Sequence, residues 1–140
     1  MPIMPKDLYK ILIVEDDKMM QEVLVGYLSK EPMFKVYVTG NGREGLYSAF
    51  ANAPDLILLD VMMPVMDGVT MFKELRKDPR GKGVPVIFLT SYDTDERVLK
   101  EISEEKPAYY LLKSNIKMDE IMDKVKLTLG INKSSHDNNL

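Results

Sequence analysis

Ile11-Leu12-Ile13-Val14-Glu15-Asp16-Asp17 is the stretch whose reading decides the fold. Four apolar residues in a row stop at three acids. A run this short, apolar at every position, reads as a strand covered on both faces, as in a parallel sheet; a half-exposed strand would alternate. The same pattern recurs downstream. Asp60 follows Leu56-Ile57-Leu58-Leu59, Thr90 follows Val86-Ile87-Phe88-Leu89, and Lys113 follows Tyr109-Tyr110-Leu111-Leu112. Open parallel sheets bind ligands beyond the carboxyl ends of their strands. The pattern therefore collects acids, a hydroxyl and a cation on one rim.

Helical periodicity fills the gaps. Met20, Val23, Leu24, Tyr27 and Leu28 make one inner face of a first helix over about Lys18–Ser29, begun by Asp17. Phe34 to Val38 alternates and reads as a half-buried strand at or near an edge. Gly40 to Gly42 reads as a turn, and Leu46, Ala49 and Phe50 as the inner face of the second helix. Pro54-Asp55 opens the third strand. Pro64 stiffens the loop after Asp60, and Gly68 reads as a special-dihedral position. Val69, Phe72 and Leu75 carry the third helix. Asp93 with Glu96 resembles a capping box for a fourth helix that is thin in apolar residues and expected to be marginal. Met118, Ile121, Met122, Val125 and Leu129 form the face of the last helix, with Gly130 as its stop. Five strands alternating with five helices predict an α/β doubly wound parallel sheet, flavodoxin-like, in the order 2-1-3-4-5. That order sets strands one and three side by side and so brings Glu15, Asp16 and Asp60 together.

Composition sets the outer limits. The 140 residues suit one domain, read here as 8–130, with 131–140 as a disordered tail that is wholly polar from Asn132 to Asn139, although Ile131 at its start is expected to pack back against the last helix. With 45% hydrophobic and 29% charged residues the chain is of globular type. A formal charge of -3 gives no reason to expect direct nucleic acid binding. Absence of cysteine excludes disulfides, thiolate metal sites and a thiol nucleophile. No apolar run is long enough for membrane insertion, and Met1 to Lys10 lacks a signal-peptide core, so the expected location is cytoplasmic.

Three acids on one rim repel, and a hard divalent cation, Mg2+ or Mn2+, relieves this. With the charge screened, one carboxylate becomes a competent nucleophile toward a phosphoryl group. Lys113 would neutralise phosphoryl oxygens and Thr90 would donate a hydrogen bond to one. Taken singly, Thr90 is a strand-end hydrogen bonder and Lys113 a solvated lysine; they gain meaning as a set. The thioethers of Met62, Met63 and Met66 suit soft metals and are read as packing. His136, in the polar tail, is read as inert.

Five motifs in order, Ile13-Val14-Glu15-Asp16-Asp17, Leu58-Leu59-Asp60, Met63-Pro64-Val65-Met66-Asp67-Gly68, Leu89-Thr90-Ser91 and Leu112-Lys113, resemble the receiver domain of two-component response regulators over about Lys10 to Leu129. The resemblance implies that Asp60 is the phosphoacceptor. It implies that Asp16 is a direct metal ligand, that Glu15 acts through metal-bound water, and that the Met62 backbone carbonyl is a further ligand. Thr90 and Lys113 would contact the phosphoryl group, and Tyr110 would be the switch aromatic. Met62, Ser91 and Tyr92 flank the site. The implied donor is a sensor histidine kinase or a histidine phosphotransfer protein. The face of the fourth helix, fifth strand and fifth helix would be read by a downstream protein, and phosphorylation could drive homodimerisation. Such a domain is a signalling module that promotes its own phosphorylation and dephosphorylation, not an enzyme on other substrates.

Two departures stand out. Ser114 replaces the usual proline after the lysine; a cis bond to a non-proline residue costs about 2.5–4 kcal/mol, so a trans Lys113–Ser114 bond is expected. Met62 and Tyr92 cannot readily orient an attacking water, so slow loss of the phosphoryl group is expected. A docking module of this fold that is never phosphorylated is the main alternative. A phosphohydrolase of the haloacid dehalogenase type is weaker, because it needs an aspartate where Met62 stands.

Overall fold

The computed structural model describes residues 8–91, 94–114 and 116–131. The elements run β1 (Tyr9–Val14), α1 (Lys18–Leu28), β2 (Phe34–Thr39), α2 (Gly42–Asn52), β3 (Leu56–Asp60), α3 (Gly68–Lys77), β4 (Val86–Thr90), α4 (Glu96–Glu104), β5 (Tyr109–Leu112) and α5 (Met118–Leu129). The strands form one parallel sheet in the order β2-β1-β3-β4-β5, as the alternation of elements predicts. The Lys113–Ser114 bond is trans, as expected, since no cis peptide occurs among the described residues. Among them, too, no helix is long and apolar enough to cross a membrane.

The fully apolar strands are explained by what covers them. Side chains alternate across a strand. Leu12, Val14, Ile57, Leu59, Val86 and Phe88 face one way, against Ala49 of α2, the α3 residues Met71, Phe72 and Leu75, and Ile102 of α4. Ile11, Ile13, Leu56, Leu58, Ile87 and Leu89 face the other way, against Leu24 and Leu28 of α1 and Ile121 and Val125 of α5. All twelve strand residues are buried, each contributing roughly 2 kcal/mol relative to exposure. Phe72 meets Phe88 edge-on at 5.2 Å between centroids. The strand ends are thus held firmly by their middles. Register places Val14 beside Leu59, Asp60 beside Leu89, and Thr90 beside Leu112, so the chemistry-bearing residues share one rim.

Several local expectations need correction. Asp95, not Asp93, caps α4, its carboxylate accepting from Arg97 N; Asp93 itself lies outside the described residues, as do Tyr92 and the tail from 132 onward. Asn41 caps α2, so Gly42 opens the helix instead of ending a turn. Val23 is 45% exposed, leaving Leu24 and Leu28 as the buried residues of α1. Other expectations stand. Asp17 caps α1 through Met19 N, and Gly130 ends α5 in the left-handed region at φ 72°. Ile131 N–H then donates to the Lys126 carbonyl, and its side chain packs back on the core.

Candidate functional site

Glu15 is fully buried where β1 ends, its N–H donating to Thr39 O at 3.0 Å. Its carboxylate turns back to accept from Asp17 N at 3.1 Å, which tightens the acidic turn. Asp60 ends β3 with 3% of its surface exposed, whereas Asp16 is exposed. Glu15, Asp16 and Asp60 each offer a carboxylate oxygen, and these oxygens lie within 4.8 Å of one another. The adjacency of β1 and β3 is what joins them.

Lys113 answers this charge from the far side of the rim. Its Nζ stands 2.6 Å from Glu15 Oε1 and 3.2 Å from Asp60 Oδ2. Burial works to lower the Lys113 pKa, but the two carboxylates together hold it above its ordinary value. Asp60 goes the other way: burial, then repulsion from Glu15, push its carboxyl up to about 7 against the pull of Lys113. One ammonium does not balance three clustered acids, two of which are buried. Thr90, also buried, has its hydroxyl 3.4 Å from the Leu111 carbonyl on β5, while its own carbonyl accepts from Lys113 N at 2.8 Å. Thr90 is therefore coupled to β5, which carries Tyr110 and leads directly into Lys113.

The β3–α3 loop leaves Asp60 and returns to it. Gly68 N–H donates to Val61 O at 2.8 Å. Gly68 does not have a positive φ, contrary to the dihedral expectation; its requirement is steric, because a Cβ there would run into the carbonyl of Asp60. The left-handed residue is instead Val65, at φ 68°, bridged by a hydrogen bond from Met66 N to Pro64 O at 2.7 Å. That is a γ-turn centred on a β-branched residue, a strained conformation. Asp67 closes the loop by accepting from Thr70 N at 2.8 Å as the cap of α3. Met62 stands 61% exposed at the start of this loop.

On the β4–β5 side, Ser91 Oγ lies 3.3 Å from Thr94 Oγ1, and the Ser91 carbonyl accepts from Thr94 N at 3.1 Å. Tyr110 points outward with 57% exposure. Tyr92 is outside the described residues. Sequence reasoning missed two participants. Gln21, one turn into α1, donates from its side-chain amide to the Glu15 carbonyl. Val65 gave no signal, since valine is a poor marker of a left-handed position. Gln21 was findable: a polar residue four beyond a capping aspartate can reach back over the turn.

The donor set fits a hard divalent cation. It offers converging carboxylate oxygens, two of the three acids buried, and a charge excess that one lysine leaves uncompensated. Glu15, Asp16 and Asp60 are the side chains that would hold it.

A family model described as the response regulator receiver domain matches residues 11–126. The response regulator protein VraR of Staphylococcus aureus is 33% identical over 121 residues, covering 85% of this chain and 56% of that protein. The response regulator PleD of Caulobacter vibrioides is 38% identical over 84 residues, 60% of this chain but 18% of its own length. The chain thus spans less than two thirds of the length of these curated relatives. Among solved structures, the receiver domain of the sensor histidine kinase PA1611 from Pseudomonas aeruginosa, which has a magnesium ion coordinated in its active-site cleft, superposes with a TM-score of 0.78 at 28% identity, covering 88% of this chain and 98% of that one.

Proposed function

This chain belongs to the response regulator receiver family, and on that premise we propose that Asp60 accepts a phosphoryl group from a phosphohistidine partner. The observation that carries this is Lys113 Nζ held between Glu15 and Asp60, a cation fixed where phosphoryl oxygens would gather. An Asp60 carboxylate oxygen attacks phosphorus, the bond from phosphorus to the histidine nitrogen breaks, and an acyl phosphate forms on Asp60. Lys113 neutralises an equatorial oxygen, and the Thr90 hydroxyl, leaving its long contact with Leu111 O, donates to another. Glu15, Asp16 and Asp60 would hold Mg2+ or Mn2+, with the Met62 carbonyl as the further ligand that the family resemblance implies. When bound, the cation screens the acids from the incoming phosphoryl oxygens.

The movement of Thr90 is the signal. Its hydroxyl is tied to β5 one residue from Tyr110, so engaging the phosphoryl group removes a constraint on that strand and lets the exposed Tyr110 ring turn inward. The α4-β5-α5 face then presents a different surface to a partner. The lines of support are the acid cluster, the family match and the magnesium in the PA1611 receiver.

The test is intact-protein mass spectrometry after incubation with acetyl phosphate and Mg2+, beside an EDTA control and Asp60→Asn. The expected result is metal-dependent addition of one phosphoryl group to the wild type and none to the variant. No addition under conditions that label another receiver would leave the docking-module reading in its place.

A further inference from the structure

We propose that Gln21 is a positioning residue for the divalent-cation pocket, acting by fixing the peptide between Glu15 and Asp16; this rests on the cation reading above. The last β1 pairs on both sides are those of Val14, with Thr39 and with Leu59. Glu15 therefore lies just past the sheet, its N–H still tied to Thr39 O. Its carbonyl belongs to a fully buried residue and needs a donor. Among the described residues that donor is a side chain, Gln21 Nε2.

Gln21 holds the acidic turn at both ends. Its backbone N–H donates to the Asp17 carbonyl at 2.9 Å, closing the first turn of α1. Its amide reaches back to Glu15 and also lies over the β2–α2 turn, 3.9 Å from where a Gly40 Cβ would be. The peptide so clamped sets the direction in which Asp16 leaves the backbone. Asp16 is the exposed member of the acid trio, without the burial that fixes Glu15 and Asp60. Its carboxylate takes its place from the turn, and the turn takes its shape from Gln21. Loss of a group that orients metal ligands in this indirect way typically costs about ten- to hundredfold in affinity.

Isothermal titration of Mg2+ into the wild type, Gln21→Met and Gln21→Glu chains tests this, with metal-free urea unfolding of the same samples. Methionine keeps the length and removes the donor. Glutamate keeps the shape, adds negative charge and turns the donor into an acceptor. The expected result is about a ten- to hundredfold loss of Mg2+ affinity in Gln21→Met. Gln21→Glu is expected to bind more weakly than wild type in spite of its charge. An unchanged Mg2+ affinity in Gln21→Met, with or without lower stability, would make Gln21 a structural fastener and overturn the inference. Tighter binding by Gln21→Glu would show that net charge, not peptide orientation, sets affinity, and would overturn it as well. Wild type that takes up no Mg2+ would bring down the cation reading itself, a result distinct from the other two.

Discussion

The two halves of the rim are built differently. The half made by β1 and β3 is over-determined: their strand ends are buried, Glu15 is sealed, and the β3–α3 loop comes back onto Asp60 through Gly68. The half made by α4 and β5 is held lightly. α4 has one buried residue, Ile102, and no residue of β5 is fully buried. The first half must keep three mutually repelling acids in fixed positions. The switch proposed above would need two arrangements of the second that differ little in energy, and sparse packing is compatible with that. Lys113 joins the halves, reaching Glu15 and Asp60 from the end of β5, and Thr90 is tied to the same segment through Leu111 O and Lys113 N.

Among changes at the rim itself, the largest effect is expected where the rigid half has no room. Gly68→Ala would press a Cβ onto the Asp60 carbonyl, a backbone atom that cannot swing aside. Chemical denaturation should show a loss of about 3 kcal/mol, at the upper end for overpacking. Gly83→Ala, with nothing within 4 Å of its Cβ position, is the control and should change stability by less than about 1 kcal/mol. Equal effects at the two positions would mean that the loop adapts, and the contrast drawn between the halves would lose its main support.

A smaller effect tests the charge stored in the same half. Asp60 has an ordinary pKa of 3.8 and is raised to about 7 in the fold, by burial first and by Glu15 second. Between those values the folded state holds a proton that the unfolded chain has released. The associated stability is fully present below the unfolded value and is lost as pH rises through the folded one. Asp60→Asn removes this dependence. With EDTA present, the stability of the variant relative to wild type should grow from about pH 5 to pH 7 by on the order of 2 kcal/mol, then level off. A difference that stays flat with pH would show that Lys113 already keeps Asp60 ionised.

The same contrast explains what the sequence made legible. Apolar runs ending in Glu15, Asp60, Thr90 and Lys113 are governed by burial on two faces, a strong and local signal, so the sheet order and the meeting of the acids followed. The start of α4 is not legible to the residue, because aspartates at 93 and 95 are both good caps by type and the thin apolar face of the helix does not choose between them. Gly68 was assigned a dihedral role because glycine answers two needs, positive φ and close approach, and only the path of the loop back to Asp60 distinguishes them. Val65 is silent for a related reason: its role comes from the three-dimensional closure of a turn, which leaves no periodicity to read.

The smallest effect belongs to the lightly held half. Tyr110 lies on an edge strand and shows more than half of its surface to solvent, 57%. Removing a ring that is mostly hydrated forfeits little transfer energy, so Tyr110→Ala should alter the stability of the unphosphorylated protein by no more than about 0.5–1 kcal/mol. The same substitution in Phe88, the buried residue paired in register with Tyr110, should cost about 3–5 kcal/mol. Urea unfolding of the two variants measures both numbers. If Tyr110→Ala approached the Phe88 value, the ring would already be part of the core, and no inward turn would be left for it to make when Thr90 lets go of Leu111. A small cost keeps that movement available, because a side chain that contributes little in its outward position has little to lose by leaving it.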